Sequence, residues 1–135
     1  MSEKVILCVD DEEIVLSSLR EQICDHFGDY ACEVAESADE AWEVIEELSE
    51  DGVEVLVIVS DWLMPGIKGD EFLISVHQKF PKIIKVILTG QAEDDAIKRA
   101  KQEANLYSCL RKPWHVEELI TTIRSGLADN KLESL

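Results

Sequence analysis

The chain has 135 residues, 46% of them hydrophobic, and its 29 Asp and Glu against 13 Lys and Arg give a formal net charge of −16. This length predicts one domain, because such a chain can bury a core without disulfides or a structural metal. The negative charge opposes direct binding to the backbone of nucleic acids. It predicts cations and basic protein surfaces as ligands.

The four cysteines occur singly, with no Cys-x-x-Cys spacing and no nearby histidine pair: Cys8, Cys24, Cys32 and Cys109. This pattern indicates neither a zinc site nor a disulfide framework, and the apolar runs around Cys8 and Cys109 predict small core residues. The N-terminus becomes charged too early for a secretory signal. No window approaches the roughly 18 apolar residues of a membrane span. We therefore expect a soluble, cytoplasmic protein.

Short apolar runs alternate with helical periodicity along the first half of the chain. Residues 4–9 predict a buried strand ending at Asp10 and Asp11. A helix over residues 12–27 follows, with an apolar stripe at Ile14, Val15, Leu19, Ile23 and Phe27. Residues 30–35 are more polar and predict an edge strand. Ser37 and Glu40 form a capping box for a helix that stops before the break at residues 49–52.

The β-branched run at residues 53–59 predicts a strand buried on both faces of a parallel sheet, and it ends at Ser60 and Asp61. The remaining predicted segments continue the alternation: a helix over 70–80, a strand over 83–88, a helix over 93–104, a strand over 106–110, a helix over 115–127 and a polar tail over 129–135. Five strands alternating with five helices predict one α/β, doubly wound (βα)5 domain over residues 1–128, with a parallel sheet covered by helices on both faces.

The C-terminal ends of parallel strands share one edge of the sheet, which brings together residues that follow different strands: Asp10, Asp11, Asp61, Thr89 and Lys112. Three neighbouring carboxylates repel one another unless a cation neutralises them, and Mg²⁺ prefers such oxygen ligands. A lysine and a hydroxyl opposite the ion fit a phosphoryl group. Asp61, on the central strand, is the carboxylate placed to attack phosphorus and form an acyl phosphate.

The pattern resembles the receiver domain of two-component response regulators, the flavodoxin-like relatives of the chemotaxis regulator. The stretches that carry the resemblance span the chain: ILCVDDE at 6–12, VIVSDWLMPGIKG at 57–69, VILTG at 86–90 and LRKPW at 110–114. It implies the strand order 2-1-3-4-5. It also implies a phosphorelay function, in which the chain catalyses only its own phosphorylation and dephosphorylation and is not a turnover enzyme.

The resemblance assigns a role to each site residue. Asp61 would accept a phosphoryl group from a histidine kinase or phosphotransfer protein. Asp10, Asp11, Asp61 and the Leu63 main-chain carbonyl would bind Mg²⁺ or Mn²⁺, while Thr89 and Lys112 would hold phosphoryl oxygens. The bond before Pro113 would be cis. Phosphorylation would rearrange the face of the fourth helix, fifth strand and fifth helix toward an output partner or effector domain, in a monomer or a phosphorylation-dependent homodimer.

One position departs from the family pattern. An aromatic residue that swings inward with the threonine usually stands three positions before the lysine, where this chain has Cys109. Tyr107 has the same strand parity and is a candidate substitute in the switch.

Several other residues carry expectations. Trp62 is expected to be a partly exposed wall of the site, with a packed loop aromatic as the alternative. Leu63 and Gln91 would flank the path of hydrolytic water. The remaining tryptophans and histidines are expected to be packing and surface residues, respectively: Trp42 and Trp114; His26, His77 and His115.

Two other classes of protein remain open on the residues alone. A Mg²⁺-dependent phosphohydrolase would use the same acidic cluster, although this short chain offers no additional substrate-binding segment. An interaction module that signals without phosphorylation is suggested by Cys109, and the intact set of site residues argues against it.

Overall fold

The computed structural model describes residues 4–64, 66–90 and 94–133, in which strands and helices alternate from end to end. The strands are β1 (Lys4–Val9), β2 (Ala31–Ala35), β3 (Glu54–Asp61), β4 (Ile84–Thr89) and β5 (Ser108–Arg111). The helices are α1 (Glu13–His26), α2 (Ala38–Glu50), α3 (Gly69–Lys79), α4 (Asp94–Glu103) and α5 (Val116–Glu133). The predicted (βα)5 alternation is confirmed.

The five strands form one parallel sheet in the order β2-β1-β3-β4-β5, as predicted. Every residue of β4 is buried, as a strand covered on both faces requires. One hydrophobic core lies between the sheet and helices α2, α3 and α4, and a second lies between the sheet and helices α1 and α5. The sheet is therefore held rigidly from both sides, with the C-terminal ends of all strands at one edge.

Local signals set the start of α2 as the sequence indicates. Ser37 Oγ accepts a hydrogen bond from Glu40 N at 3.1 Å, and Glu40 Oε2 accepts one from Glu36 N at 3.2 Å. In α1, by contrast, Ile14 does not belong to the buried stripe, because its side chain is 81% exposed. Adjacent Ile14 and Val15 cannot both face inward on a helix, and the periodicity did not decide between them.

Helix α5 is longer than the periodicity predicts. It ends at Glu133, so the predicted helix end at residue 127 is wrong, and residues 129–133 of the polar tail continue the helix. These residues offer no apolar stripe, but most are adequate helix formers, and Asp129 Oδ2 accepts a hydrogen bond from Tyr107 Oη at 2.9 Å. Neither α5 nor any other described helix is both long and apolar enough to span a membrane.

A lysine lies inside the sheet on β4. Lys85 is 1% exposed, and its Nζ donates a hydrogen bond to Ile83 O at 2.7 Å and lies 3.1 Å from His77 Nδ1. Burial lowers the pKa of Lys85 to about 8, because the charged amine loses its hydration.

Substitution of Lys85 by Met should change how stability depends on pH. An unfolded lysine has a pKa of about 10.4, so between about pH 8 and pH 10 the unfolded state binds more protons than the folded state. The free energy of unfolding of the wild type therefore rises with pH across this window. We expect Lys85→Met to flatten that rise and to add roughly 1–2 kcal/mol at pH 7.

Urea unfolding at pH 7, 8, 9 and 10 measures this effect. Lys82→Met, which removes the same charge from an exposed site on the preceding turn, is the matched control. An equal pH slope in the wild type and Lys85→Met would contradict the assignment.

Candidate functional site

Three carboxylates meet at the C-terminal edge of the sheet. Asp10 follows β1, Asp11 comes next, and Asp61 is the last residue of β3. One carboxylate oxygen from each of the three lies within 4.8 Å of the other two. Asp10 is fully buried, Asp61 is 6% exposed and Asp11 is exposed, so the cluster opens to solvent on the Asp11 side.

The backbone around Asp10 holds its carboxylate in place. Asp10 N donates to Ala35 O at 3.1 Å, which extends the pairing of β1 with β2 past the end of the strand. Asp10 Oδ1 accepts a hydrogen bond from Glu12 N at 2.9 Å, so the side chain also caps the turn into α1. This position is therefore fixed by the fold without any ligand.

Lys112 joins two of these carboxylates. Its Nζ donates to Asp10 Oδ2 at 2.8 Å and lies 3.0 Å from Asp61 Oδ1. Lys112 N donates to Thr89 O at 2.9 Å, and the bond between Lys112 and Pro113 is cis, as predicted. These contacts direct the lysine side chain across the site toward β1 and β3.

The ionisation of the site follows from burial and charge. Burial raises the pKa of Asp61, and repulsion from Asp10 and Asp11 adds to the shift, although the hydrogen bond and charge of Lys112 oppose it. Burial lowers the pKa of Lys112, but its hydrogen bonds to Asp10 and Asp61 outweigh this, so the pKa is raised overall. The lysine is therefore held in its charged form. One ammonium group does not neutralise three carboxylates, so further positive charge would stabilise the cluster.

The carboxylate cluster lies beside a cavity of about 520 Å³ that Asp11 and Asp61 line. Its walls come from the loops after four strands: Asp11, Glu12, Asp61, Trp62, Leu63, Met64, Thr89, Gly90 and Lys112. Thr89 is 5% exposed at the end of β4, and Leu88, the residue before it, is paired in register with Asp61. The structure thus brings all five predicted edge residues into one small volume. Gln91 lies outside the described residues.

The loop after β3 folds back tightly on the end of the strand. Trp62 N donates to Leu88 O at 3.0 Å, and Gly69 N donates to Trp62 O at 2.7 Å. A Cβ at Gly69 would collide with the Asp61 carbonyl oxygen and approach Trp62 Cα to 2.9 Å. Only glycine fits this position. The sequence analysis did not identify this requirement, because a Lys-Gly-Asp tripeptide contains no local pattern that predicts a close backbone approach.

Trp62 lines the cavity, but the expectation that it is partly exposed is wrong, because it is packed as the alternative predicted. The residue is 7% exposed, with Lys68 Nζ 5.2 Å from the centre of its ring. Its Nε1 is buried and has no hydrogen-bond partner among the described residues. Leu63, in contrast, is 56% exposed. The backbone turn after Asp61 therefore places the smaller apolar side chain outward and the larger one inward.

The departure at Cys109 has a clear structural setting. Cys109 is half-buried on β5, packed against the core that α4 covers, and burial raises the pKa of its thiol. Tyr107 N donates to Lys85 O at 2.8 Å. Lys85 precedes Thr89 by four residues, about 13 Å along a strand. Tyr107 is also tied to α5 through Asp129, so this placement disfavours an inward swing beside Thr89.

The other tryptophans and the histidines lie away from the carboxylates. The Trp42 ring meets Phe72 edge to face with centroids 6.2 Å apart, and Trp114 Nε1 donates to Gln22 Oε1 at 2.8 Å. Both are packing residues, as expected. None of the three histidines lines the cavity beside Asp61.

The donor set fits a hard divalent cation. The described residues supply three carboxylates with oxygens in mutual reach, and the exposed Leu63 turn beside them can present a main-chain carbonyl. No thiol or imidazole lines the cavity among the residues that the structure describes. All-oxygen sites with room for water suit Mg²⁺ and Mn²⁺.

Comparison with known proteins agrees with this geometry. Residues 6–124 match the family described as the response regulator receiver domain. The chain therefore belongs to the response regulator receiver family, whose members share this flavodoxin-like fold and for which aspartate phosphorylation and Mg²⁺ binding are standard.

Individual relatives define the resemblance further. The hydrogenase transcriptional regulatory protein HoxA of Cupriavidus necator is 32% identical over 135 residues, which cover 98% of this chain and 26% of that protein. The chain thus spans about a quarter of the length of this relative. A signal receiver domain of an HD domain-containing protein from Pseudomonas fluorescens Pf-5 superposes with a TM-score of 0.85 at 27% identity, covering 96% of this chain and 98% of the other.

A third similarity is to the beryllofluoride-activated receiver domain dimer of NtrC4. It superposes with a TM-score of 0.81 at 28% identity, covering 93% of this chain and 98% of that one.

Neutralising Asp61 should stabilise the metal-free protein. Its raised pKa means that the folded state disfavours the charged carboxylate, so at pH 7 the charge costs stability. We expect Asp61→Asn to raise the free energy of unfolding by roughly 0.5–2 kcal/mol in buffer with a chelator, measured by urea unfolding. Asp25→Asn, an exposed change on α1, controls for total charge. A loss of stability in Asp61→Asn would show that Lys112 already outweighs the repulsion.

Proposed function

We propose that this chain is a phosphoryl-accepting receiver in which Asp61 is the acceptor. The observation that carries the proposal is the position of Asp61 on the end of the central strand, in contact with Lys112 and open to the 520 Å³ cavity. The donor is the phosphohistidine of a histidine kinase or a phosphotransfer protein. The geometry supports one attacking carboxylate held on rigid backbone, which is what an in-line displacement requires.

In the transfer step a carboxylate oxygen of Asp61 forms a bond to phosphorus as the phosphorus–nitrogen bond of the donor breaks. The donor imidazole leaves with the electron pair and takes a proton from solvent. Lys112 moves from its two carboxylates to a phosphoryl oxygen, and Thr89 provides a hydroxyl to another. Hydrolysis returns Asp61 when water attacks phosphorus, with Leu63 proposed to flank the path of that water.

Asp10, Asp11, Asp61 and the Leu63 main-chain carbonyl would hold the metal ion, Mg²⁺ or Mn²⁺. When bound, the ion supplies positive charge to phosphoryl oxygens as negative charge spreads over them. Asp10 and Asp11 would hold this charge near Asp61. Lys112, 3.0 Å from Asp61 Oδ1, would supply a second positive charge at the acceptor.

The output is proposed to pass through the face formed by α4, β5 and α5. Phosphorylation draws Thr89 toward the phosphoryl group, and β5 responds because Lys112 N is bonded to Thr89 O. Cys109, which is paired in register with Ile87, leaves more space on this face of β5 than an aromatic ring would. Tyr107 then transmits a shift of β5 to α5 through Asp129, in place of an inward swing.

The partner of this face is an effector domain or a separate protein, and we propose no direct contact of this domain with nucleic acid. Helix α4 contributes exposed basic side chains to this face, of which Arg99 is already paired with Glu103 at 2.7 Å: Lys98, Arg99 and Lys101. A homodimer formed on phosphorylation through the same face is proposed by analogy with the NtrC4 receiver dimer. Under this proposal, the protein acts in the cytoplasm.

The first test is phosphorylation by a small donor. Incubation with acetyl phosphate or phosphoramidate and Mg²⁺ is expected to add one phosphoryl group, seen by intact mass spectrometry, and Asp61→Asn should abolish it. The acyl phosphate should be lost in alkaline hydroxylamine. Steady turnover of phosphomonoesters would instead indicate a hydrolase. Absence of any adduct on folded protein would favour a phosphorylation-independent binding module.

Exposed apolar side chains around the acceptor indicate where a protein donor docks. Ile14 at the start of α1, Leu63 after β3 and Val116 at the start of α5 are 81%, 56% and 37% exposed. Leu63 lines the cavity, and Ile14 and Val116 lie three and four residues along the chain from Asp11 and Lys112; we propose that together they form an apolar border beside it. Apolar anchors next to a charged centre are typical of protein contacts.

Truncation of one of these apolar side chains should slow phosphoryl transfer from a protein donor but not from a small-molecule donor. With a purified histidine kinase that labels the wild type, Ile14→Ala is expected to slow transfer roughly tenfold, the equivalent of about 1.4 kcal/mol. Labelling by acetyl phosphate should be unchanged, because a small donor needs no docking surface. Glu21→Ala, exposed farther along α1, is the control. Equal loss with both donors would show damage to the site itself.

A further inference from the structure

A second cavity lies at the edge of the sheet opposite the cavity beside Asp61. Its volume is about 480 Å³, and it is lined by Ile45 and Ser49 of α2, residues 53–56 at the start of β3 and residues 79–83 between α3 and β4. We call it the rear cavity. Glu54 in its lining and Asp61 are the two ends of β3, about 23 Å apart along the strand. A molecule bound in the rear cavity therefore does not touch the acceptor.

Most of the lining is apolar, and part of this apolar surface remains in water. Ile45, Val55 and Ile83 are buried walls of the cavity. Val53 and Phe80 are only half-buried, so each keeps apolar surface exposed to solvent at the cavity. A ligand that covers this surface gains the free energy of its burial. The volume lies within the range of roughly 300–1,000 Å³ that is usual for small-molecule sites, so the cavity suits a small ligand with an apolar body.

The charged part of the lining is positive. Lys79 and Lys82 line the cavity, and Glu54 is the one acidic side chain in this lining among the residues that the structure describes. Two ammonium groups against one carboxylate leave one positive charge in excess. The whole chain has a formal net charge of −16, so this excess is local and opposite in sign to the rest of the protein. It is complementary to an anionic group on a ligand.

Contacts with α2 and with aromatic rings hold Lys79 beside the cavity. Its Nζ lies 3.2 Å from Glu46 Oε1, and 6.0 Å and 5.7 Å from the ring centres of Trp42 and Phe80. Both side chains of the ion pair are more than half exposed, so water weakens their attraction. Lys79 can therefore bind a second carboxylate at the cavity.

Lys82 provides the freer of the two positive charges. It is exposed and forms no ion pair with any described residue. The backbone that carries it is fixed, because Ile83 N donates to Phe80 O at 3.2 Å and Ile83 O accepts a hydrogen bond from Lys85 Nζ at 2.7 Å. A mobile ammonium group thus stands on a rigid turn next to a preformed apolar cavity.

We propose that the rear cavity binds a small organic acid. The apolar body of the ligand lies between α2 and residues 79–83, and its carboxylate pairs with Lys79 and Lys82. This binding site is separate from the acceptor, and its occupation does not depend on phosphorylation.

Three probes with the same apolar body and different head groups test the role of charge. They are phenylbutyrate, phenylbutanol and phenylbutylamine, each with the ring and the head group at opposite ends of a straight chain. Each is titrated into the isotope-labelled full chain with Mg²⁺ present, and amide chemical shifts are followed. We expect phenylbutyrate to shift the amides of residues 53–56 and 82–83 and to bind roughly tenfold more tightly than the amine, with the alcohol between them. The amides of Leu63 and Gly90, which line the cavity beside Asp61, should not shift.

Two substitutions at exposed positions locate the ligand. Lys82→Glu reverses the freer charge and should weaken phenylbutyrate binding roughly tenfold, whereas Lys98→Glu, the same change on exposed α4 surface, should leave it unchanged. Ser49→Trp places a ring in the cavity from its exposed side and should abolish binding, whereas Ser49→Ala should retain it. The dispersion of the amide spectrum establishes that each variant is folded.

Four results would each overturn the proposal. They are binding of the amine as tight as that of the acid, shifts centred on Leu63 and Gly90, unchanged affinity in Lys82→Glu or Ser49→Trp, and no saturable shift at millimolar phenylbutyrate.

Discussion

The site depends on one balance of charge: the repulsion of three carboxylates against the attraction of Lys112. Its Nζ lies 2.8 Å from an Asp10 oxygen and 3.0 Å from an Asp61 oxygen, so a single amine offsets part of the negative charge that the fold gathers. Full neutralisation requires another cation. Lys112 reduces the repulsion enough for the protein to fold, and the negative charge that remains favours binding of a cation. A neutral substitution at Asp61 and the addition of a metal ion should therefore both raise the free energy of unfolding.

The remainder of the structure serves to keep these charges close together. The parallel sheet presents the ends of β1, β3 and β4 at one edge, and two hydrophobic cores prevent that edge from relaxing. Gly69 contributes at shorter range, since its missing side chain lets α3 begin against the Asp61 carbonyl oxygen. Apolar packing thus supplies the free energy that opposes the electrostatic cost.

Sequence reasoning was most successful where one feature determines the outcome. Apolar β-branched runs predicted the strands, and strand ends predicted the convergence of Asp10, Asp61 and Lys112. It failed where two local solutions compete. Ile14 and Val15 are equally apolar, and only packing decides which one is buried. The same holds for Trp62 and Leu63 on the loop after β3, since the sequence does not decide which of these two adjacent apolar side chains is buried.

Other features depend on contacts between segments distant in the chain, which local patterns do not contain. The continuation of α5 to Glu133 is accompanied by the bond between Tyr107 and Asp129. The two edges of the sheet have a consequence for behaviour at high concentration: β2 has five residues and β5 four, and exposed Glu33 and Arg111 lie on them. Short edges bearing charge are poor templates for a foreign strand, so the fold resists edge-to-edge aggregation.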